Sequence, residues 1–200
     1  MQVNQSSSPV EPFQRVECGQ QSSSPAAFSE LTMHVTEGFA PILGRDANIL
    51  ILGTLPSQQS LIKNQYYGHP RNAFWPIMGE LFAAGPNLPY GERTRLLLSH
   101  GIAVWDVLAS GSRPGSMDAA INEKSAMPND FAGLHGAHPE LRLVCFNGKA
   151  SAKLFNQLVP KSVQESFASA RFVTMPSTSP AYAAMSFADK LQHWSIIAKG

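Results

Sequence analysis

The run Ile49-Leu50-Ile51-Leu52, continued by Gly53-Thr54-Leu55-Pro56-Ser57, decides the fold. Four consecutive apolar residues with no polar alternation describe a strand buried on both faces, and a sheet buries both faces only when helices cover each side. Small residues and a proline then end the strand abruptly. Three further runs of this kind follow at Ile102–Val107, Leu141–Phe146 and Phe172–Met175, with helical patterns filling the intervals. Strands alternating with helices imply parallel pairing. The expected fold class is therefore α/β: a three-layer α/β/α sandwich around a central, mostly parallel four-stranded sheet.

Asn72 is placed to cap a helix over Ala73–Ala84, in whose first turn Pro76 is tolerated because that backbone N–H has no helical partner. Gly85-Pro86 stops it. Tyr90–His100 reads as the next helix, with Gly101 at its C-cap position, and Lys149–Leu158 and Tyr182–Ala198 complete the set.

With 44% hydrophobic and 14% charged residues, the 200-residue chain suits one compact domain, expected over residues 34–200. Residues 1–33 are rich in Ser, Gln and Pro, and Gln-Ser-Ser-Ser-Pro occurs twice, at Gln5–Pro9 and Gln21–Pro25. So little apolar surface cannot offset the entropy of ordering, and a disordered tail is expected. No stretch approaches the roughly 20 apolar residues of a membrane span. No secretion signal is evident either, so a cytoplasmic protein is expected, nucleoid-associated if bacterial, with no membrane partner and as a monomer.

Cys18 and Cys145 are too few and too far apart for a disulfide framework or a four-ligand metal site. Cys145 lies in an apolar run and reads as core. The six histidines follow no zinc-protease spacing, and His135 and His138 suit solvated or capping roles. Neither a metal nor another cofactor is expected. A formal net charge of +1 provides no general footprint for nucleic acid, so binding to DNA would need a local patch.

In open α/β sheets, ligands bind beyond the carboxyl ends of the strands. There the chain carries Gly53–Ser57, Trp105-Asp106, Asn147-Gly148-Lys149 and Pro176-Ser177-Thr178-Ser179-Pro180. Small, Pro-rich loops hold backbone N–H groups in fixed positions, and with serine hydroxyls they can grip phosphates. The alternative for each loop is an ordinary strand-to-helix turn. A nucleotide-triphosphate loop, a serine-hydrolase elbow and a dinucleotide glycine fingerprint are all missing.

Gly53-Thr54-Leu55-Pro56-Ser57 followed by Tyr66-Tyr67-Gly68-His69-Pro70-Arg71-Asn72-Ala73-Phe74-Trp75 resembles the first motif region of the uracil-DNA glycosylase superfamily, in its mismatch-specific and hypoxanthine-specific branches. Met175-Pro176-Ser177-Thr178-Ser179-Pro180 resembles the second motif, and the likeness runs from about Thr36 to the end of the chain. The sequence departs from most of the superfamily at Leu55, where an Asn or Asp usually positions the attacking water. The hypoxanthine-DNA glycosylase branch shares that departure, and the resemblance gives the water to Asn72 instead.

The resemblance implies a monofunctional hydrolase that extrudes a deaminated nucleotide from DNA and leaves an abasic site. Gly53, Thr54 and Leu55 would border the base, Phe74 would stack on it, and Asp106 would accept a hydrogen bond from N1–H of hypoxanthine, which adenine lacks. Ser57, Lys149, Ser177 and Ser179 would hold the phosphate backbone, and Pro180–Tyr182 would wedge into the vacated stack. Each has a plainer alternative: Phe74 as core, Asp106 as the cap of a Val107–Gly111 turn, Asn72 as a helix cap only. Three rival functions stand beside this one: a uracil or mismatched-thymine glycosylase, an inactive nucleic-acid-binding module on the same fold, and a free-nucleoside hydrolase.

Overall fold

The computed structural model describes residues 35–198; the Ser/Gln/Pro-rich segment and Cys18 lie outside the described residues. In chain order the elements are β1 (Val35–Glu37), β2 (Ile49–Gly53), α1 (Gln58–Lys63), α2 (Phe74–Phe82), α3 (Tyr90–Ser99), β3 (Ile102–Asp106) and β4 (Leu108–Ser112), then β5 (Met127–Pro128), α4 (Phe131–Ala137), β6 (Leu143–Asn147), α5 (Lys149–Leu158), α6 (Lys161–Ser166), β7 (Arg171–Met175) and α7 (Phe187–Trp194).

The central sheet has the order β3-β2-β6-β7, and every pairing in it is parallel. Successive side chains of a strand point to opposite faces, which is why β2 can be apolar throughout. Leu50 and Leu52 enter a core with Val144, Phe146, Phe131 and Phe155. Ile49 and Ile51 enter a second core with Phe74, Ile77, Met78, Leu97 and Trp194. Cys145 is fully buried in that second core. The register sets Gly53 opposite Asp106 and Asn147 opposite Met175, so the strands end at a common rim.

Beside this sheet stands a small antiparallel one, order β1-β4-β5, which apolar patterning did not foreshadow. Its longest strand, Leu108-Ala109-Ser110-Gly111-Ser112, has no β-branched residue. Ile42 also forms an antiparallel bridge with Val104 and covers the outer edge of β3.

Two expectations need correction. The last helix does not start at Tyr182: α7 begins at Phe187, because the Ser186 hydroxyl accepts the Asp189 N–H and caps it there, and a 3₁₀ turn over Ser195–Ala198 follows Trp194. Nor does Asp106 cap a turn over Val107–Gly111. The chain passes through Val107 straight into β4, and the Asp106 side chain is buried. α2 starts at Phe74, with Ala73 in the cap position and Asn72 just before it.

Candidate active site

The carboxyl rim of the parallel sheet holds a cavity of about 90 Å³, well above the ~10–15 Å³ that a single water needs. Its wall draws on the loops after β2, β3, β6 and β7, and Asn72, Asp106, Tyr67, Arg113, Asn147 and Thr178 are among its residues. Gly53, Thr54, Leu55, Ser57, Ser177 and Ser179 line it too. Lys149, Pro180 and Tyr182 do not: Lys149 is exposed at the first position of α5, and Pro180 and Tyr182 lie on the loop leading to α7.

Asn72 is half-buried at the mouth of α2. Its Oδ1 accepts the Phe74 N–H at 2.9 Å and its own N–H donates to His69 O at 2.9 Å, which fixes the carboxamide against the cavity. The next residue ties this segment to the far end of the chain, since Ala73 N–H donates to Thr178 O at 3.0 Å. Thr178 is held in turn by Asn147: the Asn147 amide donates to Thr178 Oγ1 at 2.8 Å and its carbonyl accepts the Thr178 N–H at 2.9 Å. Two neutral groups that satisfy each other in this way cost nothing in buried polarity.

Asp106 is 4% exposed, and its Oδ2 is one of the few buried polar atoms without a hydrogen-bond partner among the described residues. Burial raises its pKa to about 7, the negative charge of Asp118 adds to the rise, and Arg113 opposes it. A Cβ on residue 53 would collide with the Asp106 carboxylate, so this approach of side chain to backbone requires glycine there. Gly53→Ala is expected to displace the Asp106 carboxylate from this position, as a crystal structure of the variant would show.

Tyr67, not Phe74, lines the cavity, together with Phe39 and Tyr66. Phe74 is fully buried and stacks behind the Tyr67 ring, centroids 3.9 Å apart at 25°. Tyr67 adopts φ +54°, a left-handed conformation that costs a non-glycine residue energy and marks a position held by its surroundings. Its buried hydroxyl makes no hydrogen bond of ordinary length. The nearby Asn147 amide favours ionisation of that phenol, but burial and the Asp106 charge outweigh it and keep the group protonated.

Leu55, in place of a polar residue, turns its side chain into the core with Val107 and Leu108, so it offers no group to a water. Ser57 caps α1 by accepting the Ser60 N–H at 3.2 Å. Ser177 and Ser179 each accept a backbone N–H two residues on, at 3.2 Å. These hydroxyls shape their loops, and Ser57 Oγ also lies 3.1 Å from Ser60 Oγ. His135 stacks on Phe167 and His138 is the C-cap of α4. Among the described residues no group of three or more His, Cys, Asp or Glu could hold a metal ion, and no helix is long and apolar enough to cross a membrane.

The chain is thus an α/β/α sandwich with a polar cavity at its carboxyl rim, walled by an amide, a buried carboxylate and aromatic rings. Residues 41–197 match the Uracil DNA glycosylase superfamily, and the chain belongs to it. It is 43% identical over 122 residues to a hypoxanthine DNA glycosylase of Methanosarcina acetivorans, covering 60% of this chain and 75% of that one. A hypoxanthine DNA glycosylase of Methanosarcina barkeri is 39% identical over 118 residues, covering 58% and 73%. A solution NMR structure of a candidate uracil DNA glycosylase from Methanosarcina acetivorans superposes with TM-score 0.68 at 32% identity, covering 83% of this chain and 98% of the other.

Proposed function

We propose that this protein is a monofunctional DNA glycosylase that extrudes a hypoxanthine nucleotide from DNA and hydrolyses its glycosidic bond. One observation carries the reading: the Asn72 carboxamide and the unpartnered Asp106 carboxylate wall the same cavity, beside the Tyr67 ring that is backed by Phe74. A base inside the duplex is out of reach, so it must be flipped into a pocket that stacks it and reads its edge.

Stacking falls to Tyr67, and the edge to Asp106, whose ionised oxygen accepts from the ring N–H of hypoxanthine. Adenine presents a lone pair at that position and meets a second acceptor. Leaving a buried carboxylate unpaired costs more than the hydrogen bond is worth, which is how such a site rejects the wrong base. Cleavage builds positive charge on the sugar. A strong base is therefore not needed, and Asn72 serves by holding a water against the anomeric carbon. Lys149 lies outside the cavity wall and forms no covalent intermediate, so the product is an abasic site in an uncut strand.

Single-turnover excision on duplexes containing hypoxanthine, xanthine or uracil, followed by alkaline cleavage of abasic sites, tests this. Hypoxanthine is expected to be removed fastest. Faster removal of uracil would transfer the protein to the neighbouring branch, and tight binding without an abasic product would make it a binding module. Base–aromatic stacking is worth about 1–3 kcal/mol, so Tyr67→Ala is expected to weaken excision by roughly 5- to 100-fold while Phe74→Leu acts mainly on thermal stability.

A further inference from the structure

Among the described residues, Arg113 is the one Lys, Arg or His in the cavity wall. Its side chain is 3% exposed. One terminal nitrogen contacts Asp118 at 3.0 Å, and the other donates to the carbonyls of Pro56 and Leu55. Thr54 Oγ1 donates to the same Asp118 oxygen at 2.6 Å, which fixes the carboxylate's orientation. Asp118 is itself part-exposed, with its side chain 37% accessible, so solvent screens its charge more than it screens the guanidinium. The Arg113 Nε–H has no partner and is buried.

Three of the buried polar atoms without a partner, Tyr67 Oη, Asp106 Oδ2 and Arg113 Nε, belong to residues of this one cavity. Two of them are donors and one is an acceptor. Buried groups left unpaired this way carry a cost unless a ligand completes them. The acceptor already has a use in the reading above. The buried positive charge does not, and the chemistry calls for one.

Resting on the hydrolytic reading just given, we infer that Arg113 stabilises the base as it departs with negative charge. In the step, the C1′–N9 bond breaks and its electron pair goes to the base, spreading over the ring nitrogens and O6. The water oxygen bonds to C1′, and the proton that water loses ends on the departed base, giving neutral hypoxanthine and an abasic sugar. Fixed positive charge on a side chain as buried as that of Arg113 favours the charge-separated transition state over the neutral substrate, and needs no reorganisation at the moment of reaction. No histidine or lysine of the wall competes for this task.

A loop staple is the rival role, because Arg113 joins the segment after β2 to the segment after β4. The two roles separate by substitution. A staple depends on the planar fork, which lysine cannot reproduce, whereas charge stabilisation survives in lysine and is lost in glutamine. Arg113→Gln is expected to lower single-turnover excision of hypoxanthine by about a hundredfold, the loss typical for one group that stabilises developing negative charge, with duplex affinity unchanged. Arg113→Lys is expected to recover most of that rate. Equal losses in both variants, or full activity in Arg113→Gln, would overturn the assignment. If Arg113→Gln does not fold, Asp118→Asn decides: it keeps an acceptor for Thr54 and Arg113 but removes the counter-charge, and the rate is expected to rise. A fall as large as tenfold would make the network structural. Wild-type protein inactive on every base of the panel would refute the hydrolytic reading itself, which these variants do not.

Discussion

Replacing Asn72 by alanine is expected to cut single-turnover excision of hypoxanthine by about a hundredfold or more, the scale on which loss of one well-placed polar group acts. The same substitution removes the acceptor that holds the Phe74 N–H at the start of α2. Losing such a cap costs about 1 kcal/mol, which in a domain of this size lowers Tm by roughly 2–4 °C. The two effects differ too much in size to be confused. Asn72→Asp separates them further, since it retains the cap acceptor and so the melting temperature, but exchanges the amide for a charge beside the cavity. A Tm loss in Asn72→Ala with undiminished excision would leave the residue as a cap and nothing more.

Asp106→Asn is expected to do two things of opposite value. The carboxylate can accept from N1–H only when ionised, and its pKa lies at about 7. Excision of hypoxanthine should therefore fall as pH drops below about 7, and the asparagine variant should lack that limb. Its amide can turn an N–H toward N1 of adenine, so discrimination against adenine should shrink by about 10- to 100-fold, the worth of a hydrogen bond to a charged group. Stability moves the other way. Because the folded carboxyl holds its proton up to about 7 while an exposed aspartate releases it near 3.8, the folded state binds more protons across that window. The wild-type fold consequently loses stability as pH rises from about 4 to 7, and the loss is complete above. The variant escapes it. Melted side by side at neutral pH, Asp106→Asn should be the more stable, by about 2–4 °C for each kcal/mol relieved, and the gap should close near pH 4. A variant less stable than wild type at pH 8 would contradict the account.

The parallel sheet was legible because each strand is a short apolar run, and burial on both faces leaves no other pattern. The rim loops followed from it, and with them the neighbourhood of Asp106, Ser57 and Ser177, whereas Asn72 was singled out by its cap position and by the family resemblance. Phe74 could have been recognised as core: with Ile77, Met78 and Phe82 it forms the i, i+3, i+4 stripe of the buried face of α2. Tyr67 could not have been ranked above Tyr66, since its exposure to the cavity depends on a left-handed backbone that no local pattern announces. The start of α7 had a signal that helix-favouring Ala183 and Ala184 masked, namely Ser186 followed three residues later by Asp189. Arg113 and Asp118 sit in an irregular segment after β4, and nothing in their spacing reveals that they meet Thr54 and Pro56.

The mutual grip of Asn147 and Thr178, with Ala73 bonded to the same threonine, bears on when this protein becomes competent. Pairings between such distant parts of a chain form late, because the loops they close are long. Asn72 leaves the ribosome well before the segment that anchors its neighbour, so a nascent or C-terminally shortened chain can collapse around β2 and α2 and still present no assembled pocket to DNA.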